Sequence, residues 1–205
     1  ALMALKDTYG KDIVSRGQHS HADGLFYGGV APTWSNTAVR QVLRQYAARC
    51  ERLAWLDLHT GLDPRGIGGR IFACRDDNAA FARAPQWWGN AGNPSGATPV
   101  TSIYDGSSSS AFLTGLMWQS AYEECPQAEY TAIAMEYGTQ PMAEVMQALR
   151  ADHWLHLHPE APASQRTQIK QQMMDAFYGD ADDWKGMVIS QARQAMFQAV
   201  DGLSS

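Results

Sequence analysis

The run Arg52-Leu53-Ala54-Trp55-Leu56-Asp57-Leu58 has the length and apolar content of a buried strand, and His59-Thr60-Gly61 follows it directly as a stop. A second run, Glu129-Tyr130-Thr131-Ala132-Ile133-Ala134-Met135-Glu136-Tyr137, repeats the pattern and closes on Gly138-Thr139. Around these strands apolar residues recur at helical spacing. Val39, Val42, Leu43 and Tyr46 mark one face of a helix that Ser35 or Asn36 caps and that runs to about Arg49. Strands alternating with helices place the chain in the α/β class.

The remaining elements follow from the same signals. Residues 1–10 read as helix, Ile71–Cys74 as a short strand, and Asn78 as the cap of a helix ending at Trp88. Val100–Tyr104 is a second short strand, and a helix is expected from about Ala111 to Tyr122. Pro141 suits the first turn of a helix running to about His156, and Ser164–Phe177 and Asp182–Gly202 complete a helical C-terminal third. Glycine-rich and polar stretches at 17–29, 60–70 and 89–99 are loops. A chain of 205 residues without internal repeats fits one domain, 1–205.

Composition removes several function classes. The formal net charge is −5 and the pI about 5.6, with no basic cluster, so the electrostatic footprint of a nucleic-acid binder is missing. No run of about 18 apolar residues suggests a membrane span, and Ala1-Leu2-Met3-Ala4-Leu5-Lys6 lacks the layout of a signal peptide. Cys50, Cys74 and Cys125 form neither a disulfide framework nor a CxxC metal site, so a cytoplasmic location is the default expectation. The chain starts at Ala1 without an initiator Met. A trimmed tag, proteolytic processing and a start inside a longer protein are all consistent with that.

Two residues stand where chemistry concentrates in α/β folds, beyond the carboxyl ends of strands: His59 and Glu136. A neutral imidazole at such a place is a ready zinc ligand. The competing reading is a histidine that hydrogen-bonds at a strand end. Glu136, among Ala134, Met135 and Tyr137, is costly to bury unless paired or used, which suits a general base that activates a metal-bound water. A structural carboxylate bonded to an arginine or a backbone amide is its alternative. Asp57 precedes His59 by two, so on a strand both point to one face, and an Asp there could orient the imidazole or cap a nearby helix.

His153, His156 and His158 resemble a metal cluster, but they abut Pro159 and lack a carboxylate or cysteine at conventional ligand spacing; contact with the helix C-terminal dipole is the stronger reading. His19 and His21 form a loop pair. There is no GxSxG elbow, and Gly66-Ile67-Gly68-Gly69 fits no phosphate-binding loop, so serine hydrolase, kinase and dehydrogenase readings lose their support.

Five separated motifs then occur in order: Gly24-Leu25-Phe26-Tyr27-Gly28-Gly29, Ala31-Pro32-Thr33-Trp34-Ser35-Asn36, Asp57-Leu58-His59-Thr60-Gly61, Tyr104-Asp105-Gly106-Ser107 and Glu136-Tyr137-Gly138-Thr139. Together they resemble an uncharacterised bacterial branch, a domain of unknown function, of the zinc carboxypeptidase superfamily that includes succinylglutamate desuccinylase and aspartoacylase. The resemblance runs through nearly the whole chain. It implies that His59 is the later zinc-ligating histidine and Glu136 the general base, with water attacking an amide carbonyl. The superfamily's HxxE zinc ligands and its Asn-Arg pair have no counterpart here, so the chain resembles the C-terminal part of such a domain, its N-terminal part expected before Ala1.

The expected architecture is therefore a three-layer α/β/α domain with a central mixed sheet, zinc-carboxypeptidase-like. The expected activity of the parent enzyme is zinc-dependent hydrolysis of an amide bond, as a metallocarboxypeptidase or an N-acyl amino acid deacylase. Its substrate would be a peptide or a small molecule. Site residues are Glu136 as base, His59 as zinc ligand, Asp57 as support for the imidazole, and Tyr104 and Tyr27 as candidates to line the pocket. Zinc is the implied cofactor, with its other ligands upstream. Further partners are the N-terminal segment or, through an open sheet edge, a second copy of the chain. The competing class is a catalytically inactive, truncated or degenerate α/β binding module.

Overall fold

A computed structural model describes residues 16–89 and 98–205. The helix expected over residues 1–10 lies outside them. The fold is a three-layer α/β arrangement around a mixed open sheet. Helix α1, Trp34–Val42, is capped by Thr33, whose side chain accepts the Asn36 N–H. It continues as a π-helical turn, Leu43–Ala47, that buries Leu43 and Ala47. Strand β1 spans Arg52–Arg65 and β2 Gly68–Phe72; helix α2 follows over Asn78–Trp88. Asp77 caps α2, accepting the N–H groups of Ala79 and Ala80, where Asn78 had been expected to do so.

Strand β3 is Val100–Ser102, helix α3 Gln119–Glu124 and strand β4 Glu129–Gly138. The expected helix over 111–122 forms only in its last part, because the chain turns at Gly115, with φ of +71°, before α3 can start. Helices α4 (Met142–Leu157), α5 (Ala163–Phe177) and α6 (Asp182–Ser204) follow, close to the bounds expected from their apolar spacing.

Among the described residues the sheet order is β1-β4-β2-β3. The N–H of Glu129 meets the Glu51 carbonyl at 2.8 Å and that of Gly66 meets the Gly138 carbonyl at 3.0 Å, so β1 and β4 run parallel. A Cβ on Gly68 would touch Met135 and Tyr137, while the Cys74 thiol bonds the Ala132 carbonyl at 3.6 Å, so β2 runs against β4. β3 is parallel to β2 in the register Arg70–Val100, Ile71–Thr101, Phe72–Ser102. In β4 every residue from Tyr130 to Met135 is buried, as expected of a strand covered on both faces.

One expectation is corrected here. β1 does not stop at Thr60-Gly61 but continues to Arg65. Gly61, with φ of +137°, and Asp63, with φ of +67°, bend the strand without ending it. Among the described residues β1 is the outermost strand of the sheet, a place where the missing N–H of Pro64 is tolerated.

The described residues form two compact units. The first comprises those within Ala1–Asp57, with Arg70–Ala134 and Ala195–Ser205. Its core holds Phe72, Ala80, Ala84, Trp88, Ala121 and Ile133. The Trp88 indole N–H donates to the Ala195 carbonyl at 3.0 Å, and the buried Arg70 donates to the Trp88 carbonyl and to Gln198. The second unit comprises Leu58–Gly69 and Met135–Gln194. Its core holds Met135, Tyr137 and Trp184, and Val145, Ala148 and Ala176 pack α4 on α5 with Leu149, Met173 and Phe177 around them.

Candidate functional site

Glu136 and His59 both belong to the second unit. Glu136 lies two residues before the end of β4, and the parallel pairing with β1 sets it beside His59. His59 Nδ1 stands 3.3 Å from Glu136 Oε1. The imidazole side chain is 45% exposed and the carboxylate 13%, so the pair has one open partner and one hidden one. The other carboxylate oxygen, Oε2, is buried and has no hydrogen-bond partner among the described residues. A buried acceptor without a donor costs about 1–3 kcal/mol. Such an atom fits a group that meets its donor only when a ligand or water arrives.

The end of β4 is held from below. Trp184 donates its indole N–H to the Gly138 carbonyl at 2.9 Å, and Thr139 Oγ1 donates to the Ala176 carbonyl at 2.6 Å. Tyr137 Oη reaches the Val188 carbonyl at 3.4 Å. These three bonds tie the strand to α5 and α6 and fix the backbone that carries Glu136. Gln191 does the same for the β1–β2 turn, bonding both the Gly68 N–H and the Gly66 carbonyl. Arg65 closes the group with two bonds to Asp183, at 2.8 and 3.0 Å. Those bonds hold the Asp183 carboxyl down at about 2.

His59 was expected at a strand end and sits instead inside the longer β1. Asp57, two residues earlier, is buried in the first unit. Its charge is one of the causes, behind burial and the Cys74 and Tyr122 groups, that push the Tyr130 phenol up. Tyr104 is also in the first unit, its ring between Phe72 and Phe112 and its hydroxyl donating to the Cys74 carbonyl. Tyr27 pairs with Gln18 in an isolated bridge and meets the His19 ring edge-on at 6.2 Å.

Of the remaining histidines, His156 lies 3.4 Å from Asp152, and His158 lies 2.9 Å from Glu160 while stacking on Trp154. His19 bonds the Gly29 carbonyl at 3.2 Å, and the Gln18 side chain ties down the backbone of Ser20 and His21. Among the described residues no group of three or more His, Cys, Asp or Glu side chains is placed to hold a metal ion. No helix among them is long and apolar enough to cross a membrane.

Sequence reasoning missed a polar cluster in the first unit. The Cys74 thiol, the Tyr122 and Tyr130 hydroxyls and the Arg75 guanidinium, 4.4 Å over the Tyr122 ring, come together from three separate segments. Burial pushes the Cys74 thiol up to about 12. Nothing in the spacing of those residues announces the cluster.

Residues 6–191 match the family model described as "Protein of unknown function (DUF2817)". No curated protein and no solved structure matches the chain.

Proposed function

The chain belongs to the DUF2817 family, and on that premise we propose that it serves the hydrolysis of an amide bond, with Glu136 as the proton-accepting group and His59 as its partner. The observation that carries this reading is the pair itself: a half-exposed imidazole 3.3 Å from a carboxylate whose second oxygen is buried without a donor. The five motifs that resemble the zinc carboxypeptidase superfamily add support, and the reading extends kinship to that superfamily. Substrates in view are a peptide C-terminus or a small N-acyl amino acid.

In the reaction, Glu136 accepts a proton from the attacking water and returns it to the departing amine. The His59 ring, hydrogen-bonded to Oε1, holds the carboxylate in one orientation for that transfer. A proton-transfer group placed this way contributes about 10²–10⁴-fold in rate.

The zinc that the resemblance implies does not fit the donor set at this pair. Catalytic zinc takes about three protein ligands, and the pair supplies one imidazole beside the carboxylate assigned as base. No step is therefore derived through the metal. The same single imidazole favours the second reading, a non-catalytic α/β binding module.

A panel of N-acyl amino acids and short peptides, assayed for free amine with the unaltered protein and with Glu136→Gln, separates the two. Turnover that falls by about 10²-fold or more in Glu136→Gln supports the hydrolase. Turnover that is equal in both proteins removes Glu136 from the reaction, and no turnover favours the module. Zinc content measured alongside, with and without His59→Ala, tests the metal. Stoichiometric zinc that disappears with the imidazole assigns His59 as a ligand, and zinc that stays does not.

A further inference from the structure

The helical hairpin of α4 and α5 carries a groove of about 410 Å³, lined by Gln147, Arg150, Ala151, Trp154 and Gln172. Gln147, Arg150, Ala151 and Trp154 fall at helical spacing on α4, so they form one stripe, and Gln172 faces them from α5. The basic residues of the two helices are treated differently. Lys170 is taken by Asp152 at 2.5 Å and Arg166 by the Pro159 carbonyl at 2.9 Å. Among the described residues Arg150 has neither an ion-pair nor a hydrogen-bond partner, and no acidic residue lines the groove.

The aromatic wall is held in place. The His158 ring stacks on the Trp154 indole at 4.2 Å with 27° between the planes, and Glu160 holds His158 at 2.9 Å. One indole face is covered by this stack, and the indole also lines the groove. A fixed aromatic surface loses little conformational freedom on binding, which favours a flat apolar group. A guanidinium without a partner is a fork of donors matched to a carboxylate, and the two amides can orient what lies between.

The geometry points to a binding site for a small aromatic carboxylate, its ring against Trp154 and its charge on Arg150. This site is separate in residues and in chemistry from the His59–Glu136 pair, and its ligand is bound and not turned over. Occupancy of the groove does not depend on whether that pair is catalytic.

The probe is 3-phenylpropionate, which has no amide bond to hydrolyse, and the readout is the indole N–H resonance of Trp154, assigned by its loss in Trp154→Phe. Saturable movement of that resonance is expected. 3-Phenyl-1-propanol, with the same ring and no charge, should bind about ten-fold or more weakly, and Arg150→Gln should weaken the carboxylate by about the same factor, the loss of one charge-assisted contact. Arg150 is on the surface, and the alcohol comparison uses unaltered protein, so a misfolded variant does not spoil the test. No saturable movement overturns the site. Equal affinity for acid and alcohol, or an unchanged affinity in a folded Arg150→Gln, overturns the assignment of Arg150.

Discussion

The Trp184 indole N–H donates to the carbonyl of Gly138 at 2.9 Å, two residues beyond Glu136 on the same strand. Trp184 is 4% exposed, so this bond forms away from water, at the point where β4 leaves the sheet. The Gly138 carbonyl also accepts the Gly66 N–H at 3.0 Å. One backbone oxygen thus joins the end of β4 to the β1–β2 turn and to α6. Trp184→Phe removes the donor and leaves a small void, and should cost about 1–3 kcal/mol. Trp184→Ala adds a cavity and should cost about 3–5 kcal/mol. Urea unfolding of both variants measures the difference, and a Phe variant as stable as the parent would show that the bond holds nothing.

Gly138 has a second reason to be glycine. A Cβ there would run into the carbonyl of Asp63 and the backbone of Pro64. Backbone cannot swing aside as the tip of a side chain can, so Gly138→Ala should push β1 away from β4. The expected cost is about 1–3 kcal/mol, as for overpacking in a tight core. The His59 resonances should shift with it, since the same two strands carry the pair. Stability lost without any change at His59 would mean that the strain is relieved elsewhere.

Much of this fold was legible in the sequence, and the failures have local causes. β4 and the helices α4, α5 and α6 follow from apolar periodicity and clear punctuation, and their ends fall where Gly138, Pro141 and Asp182 predict. β1 outran its expected end because Gly61 can take φ of +137° inside a strand, where a glycine is usually read as a stop. β2 begins at Gly68-Gly69-Arg70, residues with no strand signature, which are ordered by pairing rather than by propensity. The His59–Glu136 contact was reachable because each residue sits next to a stop signal on an apolar strand. The neighbours of Tyr104, Tyr27 and Asp57 were not, since they come from distant segments.

Cys74 tests the burial of the first unit's polar cluster. Burial raises its thiol from the ordinary value of 9.0 to about 12, and a backbone hydrogen bond at Ala132 and two tyrosine hydroxyls lower it only in part. The folded state therefore keeps the proton where the unfolded chain loses it. The stabilisation linked to it is complete below about pH 9 and is lost as the pH rises through about 12. At about pH 8.5 iodoacetamide should modify the partly exposed Cys50 in native protein and spare Cys74, which should react only in denaturant. Rapid native labelling of Cys74, located by peptide mass, would contradict its burial.

Asp183 behaves in the opposite sense. Its two bonds to Arg65, with the Trp184 N–H behind them, lower its carboxyl from 3.8 to about 2. The stabilisation linked to a depressed carboxyl is present above its unfolded value of 3.8 and is lost as the pH falls through about 2. Arg65→Gln should bring the Asp183 titration, followed by NMR, back toward the ordinary carboxylate range. A titration left at about 2 in that variant would assign the shift to the helix terminus instead of the arginine.

Glu136 offers a test that needs no substrate. A carboxylate with one oxygen buried and undonated is a poor structural choice, since an apolar or neutral group in its place avoids the desolvation cost. If the group is kept for chemistry, its removal should stabilise the protein while any hydrolysis disappears. Glu136→Gln retains a hydrogen-bond partner for His59 and should raise stability by about 0.5–2 kcal/mol. His59→Ala leaves Glu136 without the imidazole and should lower it. In the double variant Glu136→Gln/His59→Ala, the difference from the sum of the single changes measures the coupling across the 3.3 Å contact. A Glu136→Gln protein less stable than its parent, with strong coupling to His59, would assign the pair a structural role. The amide-hydrolysis reading would then lose the observation that carries it.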